Sequence, residues 1–210
     1  GVYSLRGLML NIIADKVSWC SRFGISIHRE DWDCNTLPAT FITDMGSEYT
    51  SENFEQIAEL GVTVVNLPSY RPELKGLIEK FFDLVQESYK KHLKGKGVIE
   101  PDYQERGAHD YRKDACLTMT DFEKIVLHCI IYYNSQRIIE NFPYTEDMIA
   151  AQVKPYASQI WNWGKSQIRA NLIEIGKREL MLTLLPRTTG RFSRSGLKVN
   201  KLRYHCEGYT

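Results

Sequence analysis

Ala39-Thr40-Phe41-Ile42-Thr43-Asp44 and, further along, Val62-Thr63-Val64-Val65-Asn66-Leu67 are the two runs on which the fold turns. Both are short, rich in β-branched residues and bounded by turn-forming residues, the signature of strands. Between them Phe54, Ile57 and Leu60 have the spacing of a short helix over 51–60 that stops at Gly61. After Pro68-Ser69-Tyr70-Arg71-Pro72, where Pro72 marks a turn or a first helical position, the apolar residues Leu74, Leu77, Ile78, Phe81, Val85 and Tyr89 recur at helical spacing to about Leu93. Strand, helix, strand, helix predicts a parallel pair of strands in an α/β fold. Asp44 then stands at a carboxyl end, where open α/β sheets bind their ligands, and Glu79 lies on the second helix, fixed in direction by burial of Leu77, Ile78, Phe81 and Val85.

Upstream, Leu5, Leu8, Met9, Ile12, Ile13, Val17 and Cys20 predict one amphipathic helix closed by Gly24, with Asp15 on its surface. Downstream, Lys94-Gly95-Lys96-Gly97 ends the Glu79 helix and 98–117 shows no periodicity. Thr120-Asp121-Phe122-Glu123 reads as a capping box opening a helix whose apolar face is Phe122, Ile125, Val126, Cys129, Ile130 and Tyr133. Short helical pieces follow at 145–151 and 157–163. From 181 onward the residues around Pro186, Gly190 and Gly196 predict short strands and turns. The chain therefore divides into 1–163, a linker over 164–180, and a β module over 181–210.

The 210 residues, 43% hydrophobic and 25% charged, are ordinary for a globular chain. A net charge of +1 provides no global basic field, so charge must be read locally. The five cysteines, Cys20, Cys34, Cys116, Cys129 and Cys206, lack C-x-x-C spacing and suit free thiols in a reducing cytosol. No apolar run approaches the length of a membrane span. A chain opening on Gly1 in mid-helix and ending at Tyr209-Thr210 reads as a piece of a longer protein.

Metal-dependent phosphodiester chemistry needs hard oxygen ligands that leave room for substrate and water. Two ions about 4 Å apart can activate the attacking oxygen and stabilise the leaving one. Asp44 at a strand end and Glu79 on a packed helix are the residue types such a site uses, although an Asp–Glu spacing alone is a weak signal and a helical Glu is ordinarily a solvated one. Ile42-Thr43-Asp44-Met45-Gly46-Ser47-Glu48-Tyr49 resembles the second-Asp motif of DDE transposases and retroviral-type integrases. The segment from Leu67-Pro68-Ser69-Tyr70-Arg71-Pro72 to Gly76-Leu77-Ile78-Glu79 resembles their final-Glu motif. Asp110-Tyr111-Arg112-Lys113-Asp114-Ala115-Cys116-Leu117-Thr118 and Tyr133-Asn134 narrow the likeness to TnsB-type transposases, relatives of the phage Mu transposase, over nearly the whole chain.

The resemblance implies an RNase H-like catalytic domain, incomplete at its N-terminal strands, then helices and the start of a small basic β-barrel. Asp44 and Glu79 become the second and third members of an Asp-Asp-Glu triad holding two Mg²⁺ (or Mn²⁺) ions. The first Asp is missing from the chain, so this stretch alone is expected to be inactive. The implied reaction is 3′-end cleavage followed by strand transfer. The implied partners are transposon-end and target DNA, further copies of the transposase, a AAA+ ATPase regulator and an endonuclease. Another RNase H-like nuclease or integrase, or a non-catalytic DNA-binding or assembly module, are the rival readings.

From Lys165 to Arg203 ten basic residues face only Glu174 and Glu179. Such a cluster suits phosphate contact, and a solvated charged surface is the plain alternative. Arg187, Arg191, Arg194 and Lys198 are the candidates there, with Arg71 and Lys75 beside the carboxylates. Lys90, Lys91, Lys94 and Lys96 complement a helix C-terminus, Trp161 and Trp163 suit packing at a junction, and the histidines lack zinc-ligand spacing.

Overall fold

The computed structural model describes residues 2–43, 55–68, 76–99, 104, 106–107 and 109–205. The fold is mixed α/β. The opening helix is two helices, α1 (Val2–Ile13) and α2 (Lys16–Ser21). Asp15 interrupts what its neighbours' periodicity predicted as one run. Its backbone is extended and its carboxylate accepts from the Ser18 amide at 2.9 Å, so it caps α2 from outside the helix. Lys16 reaches back and donates to the carbonyls of Asn11, Ile12 and Ala14 at 2.7–2.9 Å, satisfying groups that a helix end leaves open. Gly24, at φ 72°, closes α2: the Ile25 amide bonds the Cys20 carbonyl and the Gly24 amide the Ser21 carbonyl, the paired bonds of a Schellman turn.

A 3₁₀ turn (Arg29–Asp31) leads to β1 (Leu37–Pro38) and β2 (Thr40–Thr43). A second 3₁₀ turn (Gln56–Leu60) stops at Gly61, φ 82°, before β3 (Thr63–Asn66). Strands β2 and β3 are parallel, in register from Thr40↔Thr63 to Thr43↔Asn66, as the strand–helix–strand pattern predicted. Helix α3 (Gly76–Lys90) and α4 (Met119–Ser135) follow, with a 3₁₀ turn (Tyr111–Asp114) between them. Edge-to-face contacts of Phe81 with Tyr133 at 4.9 Å and of Tyr89 with Phe122 at 5.3 Å lay α3 and α4 antiparallel. The cap of α4 is Thr118, not Thr120. Its hydroxyl accepts from the Asp121 amide at 3.2 Å and its amide donates to the Asp121 carboxylate at 3.1 Å. The buried residue of α4 is Leu127, outside the predicted apolar face.

Helices α5 (Glu146–Ala150) and α6 (Ala157–Lys165) match the predicted short pieces. Trp161 Nε1 donates to the Asp33 carbonyl at 2.7 Å and Asn162 to the Glu30 carbonyl at 2.9 Å, binding α6 to the first 3₁₀ turn. Next come β4 (Leu172–Ile173) and α7 (Lys177–Thr183), where a linker and then strands were expected. Strand β4 pairs antiparallel with β1, and Leu180 and Leu184 are buried with Leu5, Met9, Leu37, Ile57 and Val62 in one core. Within this apolar run only Leu180 and Leu184, one helical turn apart, enter the core, while Met181, Leu182 and Leu185 stay exposed. A second cluster joins Cys20 and Ile25 to Leu127. The chain then forms a three-stranded antiparallel sheet, β5 (Arg191–Ser193), β6 (Gly196–Val199) and β7 (Leu202–Tyr204). Cys20, Cys34, Cys116 and Cys129 are free thiols, and burial pushes Cys20, Cys34 and Cys129 above the ordinary thiol range. No helix among the described residues is long and apolar enough to cross a membrane.

Candidate catalytic carboxylates and basic sheet

The parallel pair sets the frame of the candidate site. Phe41 and Val64 pack toward the first core, whereas the register partners Ile42 and Val65 are 63% and 42% exposed on the other face. At the carboxyl end the buried Thr43 donates its hydroxyl to the Asn66 side-chain oxygen at 2.8 Å, tying the last residues of both strands together. Asp44 is the next residue along the chain and lies outside the described residues, as do Arg71 and Lys75.

Glu79 is exposed in the first turn of α3, with no hydrogen bond or ion pair among the described residues. Its helix is anchored differently from expectation. Val85 is buried and Phe81 meets Tyr133, but Ile78 is 52% exposed and Phe82 55%. The Phe81–Val85–Tyr89 stripe at i, i+4, i+8 is the packed face, and Ile78 lies off it. A free, solvent-facing carboxylate is a hard oxygen donor of the kind a divalent cation takes. Among the described residues no three His, Cys, Asp or Glu side chains gather into a metal-binding group. Asp15 is committed to capping: Ser18 gives its carboxylate both amide and hydroxyl, and these bonds hold the carboxyl below its ordinary value.

The basic candidates separate sharply. Arg187 is not free for phosphate. Its guanidinium holds Glu59 through two bonds of 2.6 Å, which keep the Glu59 carboxyl below its ordinary value. Arg191 and Lys198 are direct cross-strand partners, and Lys198 is also opposite Arg203. Three cations therefore cross β5, β6 and β7 in one row, all exposed. Arg194 sits exposed in the β5–β6 turn. Arg203 was not among the sequence candidates. Its signal was the period-2 alternation after Gly196, which becomes informative only with the register. Like charges directly opposite on a sheet are destabilising, so a row of this kind fits a polyanion lying across it.

The sequence has relatives among known proteins. Residues 1–95 match the family described as the TnsB C-terminal domain. The chain is 26% identical over 196 residues to the Transposon Tn7 transposition protein TnsB of Escherichia coli, covering 93% of this chain and 28% of that protein. It is 30% identical over 79 residues to the Transposase for transposon Tn552 of Staphylococcus aureus, covering 34% of this chain and 16% of that protein. The likeness to TnsB-type transposases read from the motifs is borne out, and the chain spans under a third of the length of these relatives.

Proposed function

We propose that this chain carries the later part of an RNase H-like transposase active site, in which Asp44 and Glu79 bind divalent metal for DNA 3′-end cleavage and strand transfer. The observation that carries the reading is the parallel β2–β3 pair. Asp44 directly follows the end of β2, and the helix after β3 offers in its first turn the carboxylate of Glu79, which is unpaired among the described residues. Metal binding requires Asp44, after β2, and Glu79, on α3, to reach one ion from two directions. Mg²⁺ or Mn²⁺ held there would supply charge stabilisation to the attacked phosphodiester. The chain's own part is to hold the two carboxylates and to orient the strand, with no covalent enzyme intermediate. Asp15, committed to the cap of α2, is not taken as the first carboxylate of such a triad.

The basic sheet β5–β7 is proposed as the start of a β-barrel that tracks the DNA backbone through Arg191, Lys198 and Arg203. End and target DNA, further copies of the protein, a AAA+ regulator and an endonuclease are the partners this reading carries with it. The test is joining of labelled element-end DNA to a plasmid by the full-length protein in Mg²⁺ or Mn²⁺, beside Asp44→Asn and Glu79→Gln. Loss of joining with DNA binding retained in both variants supports the site. Joining that survives either substitution removes that residue. The rival reading, a non-catalytic DNA-binding module, is favoured by the cation row, which needs no metal, and it gains if no form of the protein joins DNA while all bind it.

A further inference from the structure

The α3–α4 pair encloses a groove that the proposed chemistry does not use. It measures about 460 Å³ and lies where the end of α3 and the turn after it meet the start of α4. Tyr89, Leu93, Ile99, Leu117, Met119 and Phe122 line it, and Lys90 and Lys96 stand among them at its edge. The edge-to-face pair Tyr89–Phe122 joins the two helices at the groove, and Leu93 is buried beneath it. The 94–97 turn is held against the far wall. Gly97 is at φ 87°, and a Cβ there would stand 2.8 Å from the Ala115 backbone, so only glycine lets the two segments approach so closely.

Two properties of this groove are unexplained by packing among the described residues. Ile99 is 59% exposed and Met119 73%, although both are large apolar side chains lining the same cleft. Residues 88–99 also carry four lysines and no carboxylate. Of the acids near the start of α4, Asp121 is spent on the Thr118 cap. A basic rim around an apolar floor selects its occupant by charge. Nucleic acid would satisfy the lysines but leave the apolar floor uncovered, and a neutral apolar segment would leave the lysines unanswered.

We propose that this groove docks a short acidic segment of a partner protein, inserting one or two large apolar side chains flanked by Asp or Glu. The unbranched, polarisable Met119 at the mouth suits a surface that must adapt to an inserted side chain. The aromatic edges of Tyr89 and Phe122 provide the anchor wall, of the kind on which binding energy concentrates. The inference is independent of the metal-site reading and survives its failure.

The test is selection of a random dodecamer peptide library on the full chain, followed by fluorescence anisotropy of the selected peptides. The comparison proteins are Ile99→Glu, Met119→Glu and the double variant Lys90→Glu/Lys96→Glu. All four positions are exposed, and thermal unfolding checks that each variant folds. The expected peptides place Asp or Glu around Leu, Phe or Trp. Each Glu substitution weakens them by about tenfold or more, as expected for a contact at the centre of an interface, and added salt weakens them further. The proposal is overturned if no peptide distinguishes the wild type from the groove variants, or if the selected peptides carry no excess of acid. It is also overturned if a short DNA duplex binds in a way that needs the two lysines but is indifferent to Ile99 and Met119. That result assigns this end to nucleic acid.

Discussion

Leu180→Ala measures whether the segment after α6 belongs to the first core. Leu180 is 0% exposed and packs with Leu5, Met9, Leu37, Ile57, Val62 and Leu184. Truncating a leucine in such a site removes its transfer free energy and leaves a cavity, together about 3–5 kcal/mol. A native domain is stable by only about 5–15 kcal/mol, so the loss is a large fraction of the total. For a chain of this size each kcal/mol moves the midpoint by about 2–4 °C, which places the expected drop at about 6–20 °C. The control is Ile168→Ala, at a fully exposed position between α6 and β4, where a change within about 0.5 kcal/mol is expected. Urea unfolding followed by far-UV circular dichroism gives both values, with an unchanged denaturant slope showing that the same surface is exposed. A Leu180→Ala protein that unfolds like the Ile168→Ala control refutes the packing argument. The segment over 164–180 would then be the linker that its sequence suggested.

Three further outcomes follow from single contacts. Thr118→Ala should destabilise by about 1 kcal/mol in the same urea assay, and Thr120→Ala by much less, because only Thr118 bonds the Asp121 amide. At Asp33 burial pushes the carboxyl up, but bonds from Lys165 and Arg29 outweigh it and hold the group below the ordinary 3.8. The unfolded chain therefore binds this proton first, so the stabilisation is present above about pH 4 and is lost as pH falls through the folded value. Lys165→Met should lower stability at neutral pH, with the gap to wild type narrowing in acid; a gap that is constant with pH would remove the pair from the account. Gly196 is at φ 99°, and a Cβ there would lie 2.5 Å from the Tyr204 carbonyl oxygen. Gly196→Ala should therefore open β6 from β7, read as faster amide exchange over 196–204 with the first core's exchange unchanged.

What the sequence showed and what it hid follow from the range of the interactions involved. The β2–β3 pair was legible because β-branched runs, Gly61 and the intervening helical spacing are local signals that agree with one another. The break at Asp15 was not. Apolar residues continue at helical spacing on both sides of it, and only the bonds to Ser18 and the return of Lys16 show the cap. The α4 cap slipped by two residues because Thr118 and Thr120 both precede an acid at a plausible offset. Helix α7 was misread because Met181–Leu185 is a short apolar run that fits strand or helix, and the burial of Leu180 and Leu184 that decides it depends on Leu5 and Met9, far away in the chain. At the basic sheet the individual cations were visible, but not their order. The pairing that sets Lys198 between Arg191 and Arg203 is set by register, and the same register leaves Arg187 outside the row, closed on Glu59.

Glu79 has two physical reasons to be where it is, and they separate experimentally. A carboxylate in the first turn of α3 meets the positive end of the helix dipole, worth about 0.3–1 kcal/mol at an exposed position. This alone would explain a glutamate there without any chemistry. Gln keeps the size and most of the helix propensity but removes the charge. If the dipole is the whole reason, Glu79→Gln costs that small stability and leaves DNA joining intact. If Glu79 holds metal, the same change removes joining while stability shifts no more than the dipole allows. Asp44→Asn applies the same test to the residue that follows β2. Joining lost in both variants, with a stability change confined to Glu79→Gln, would therefore identify the pair as acting together and the helix position of Glu79 as a secondary gain. The row of Arg191, Lys198 and Arg203 provides an internal check. Replacing all three with Gln should lower the salt dependence of DNA binding by about 2–3 in log–log slope. The metal dependence of joining, measured at saturating DNA, should stay where it was.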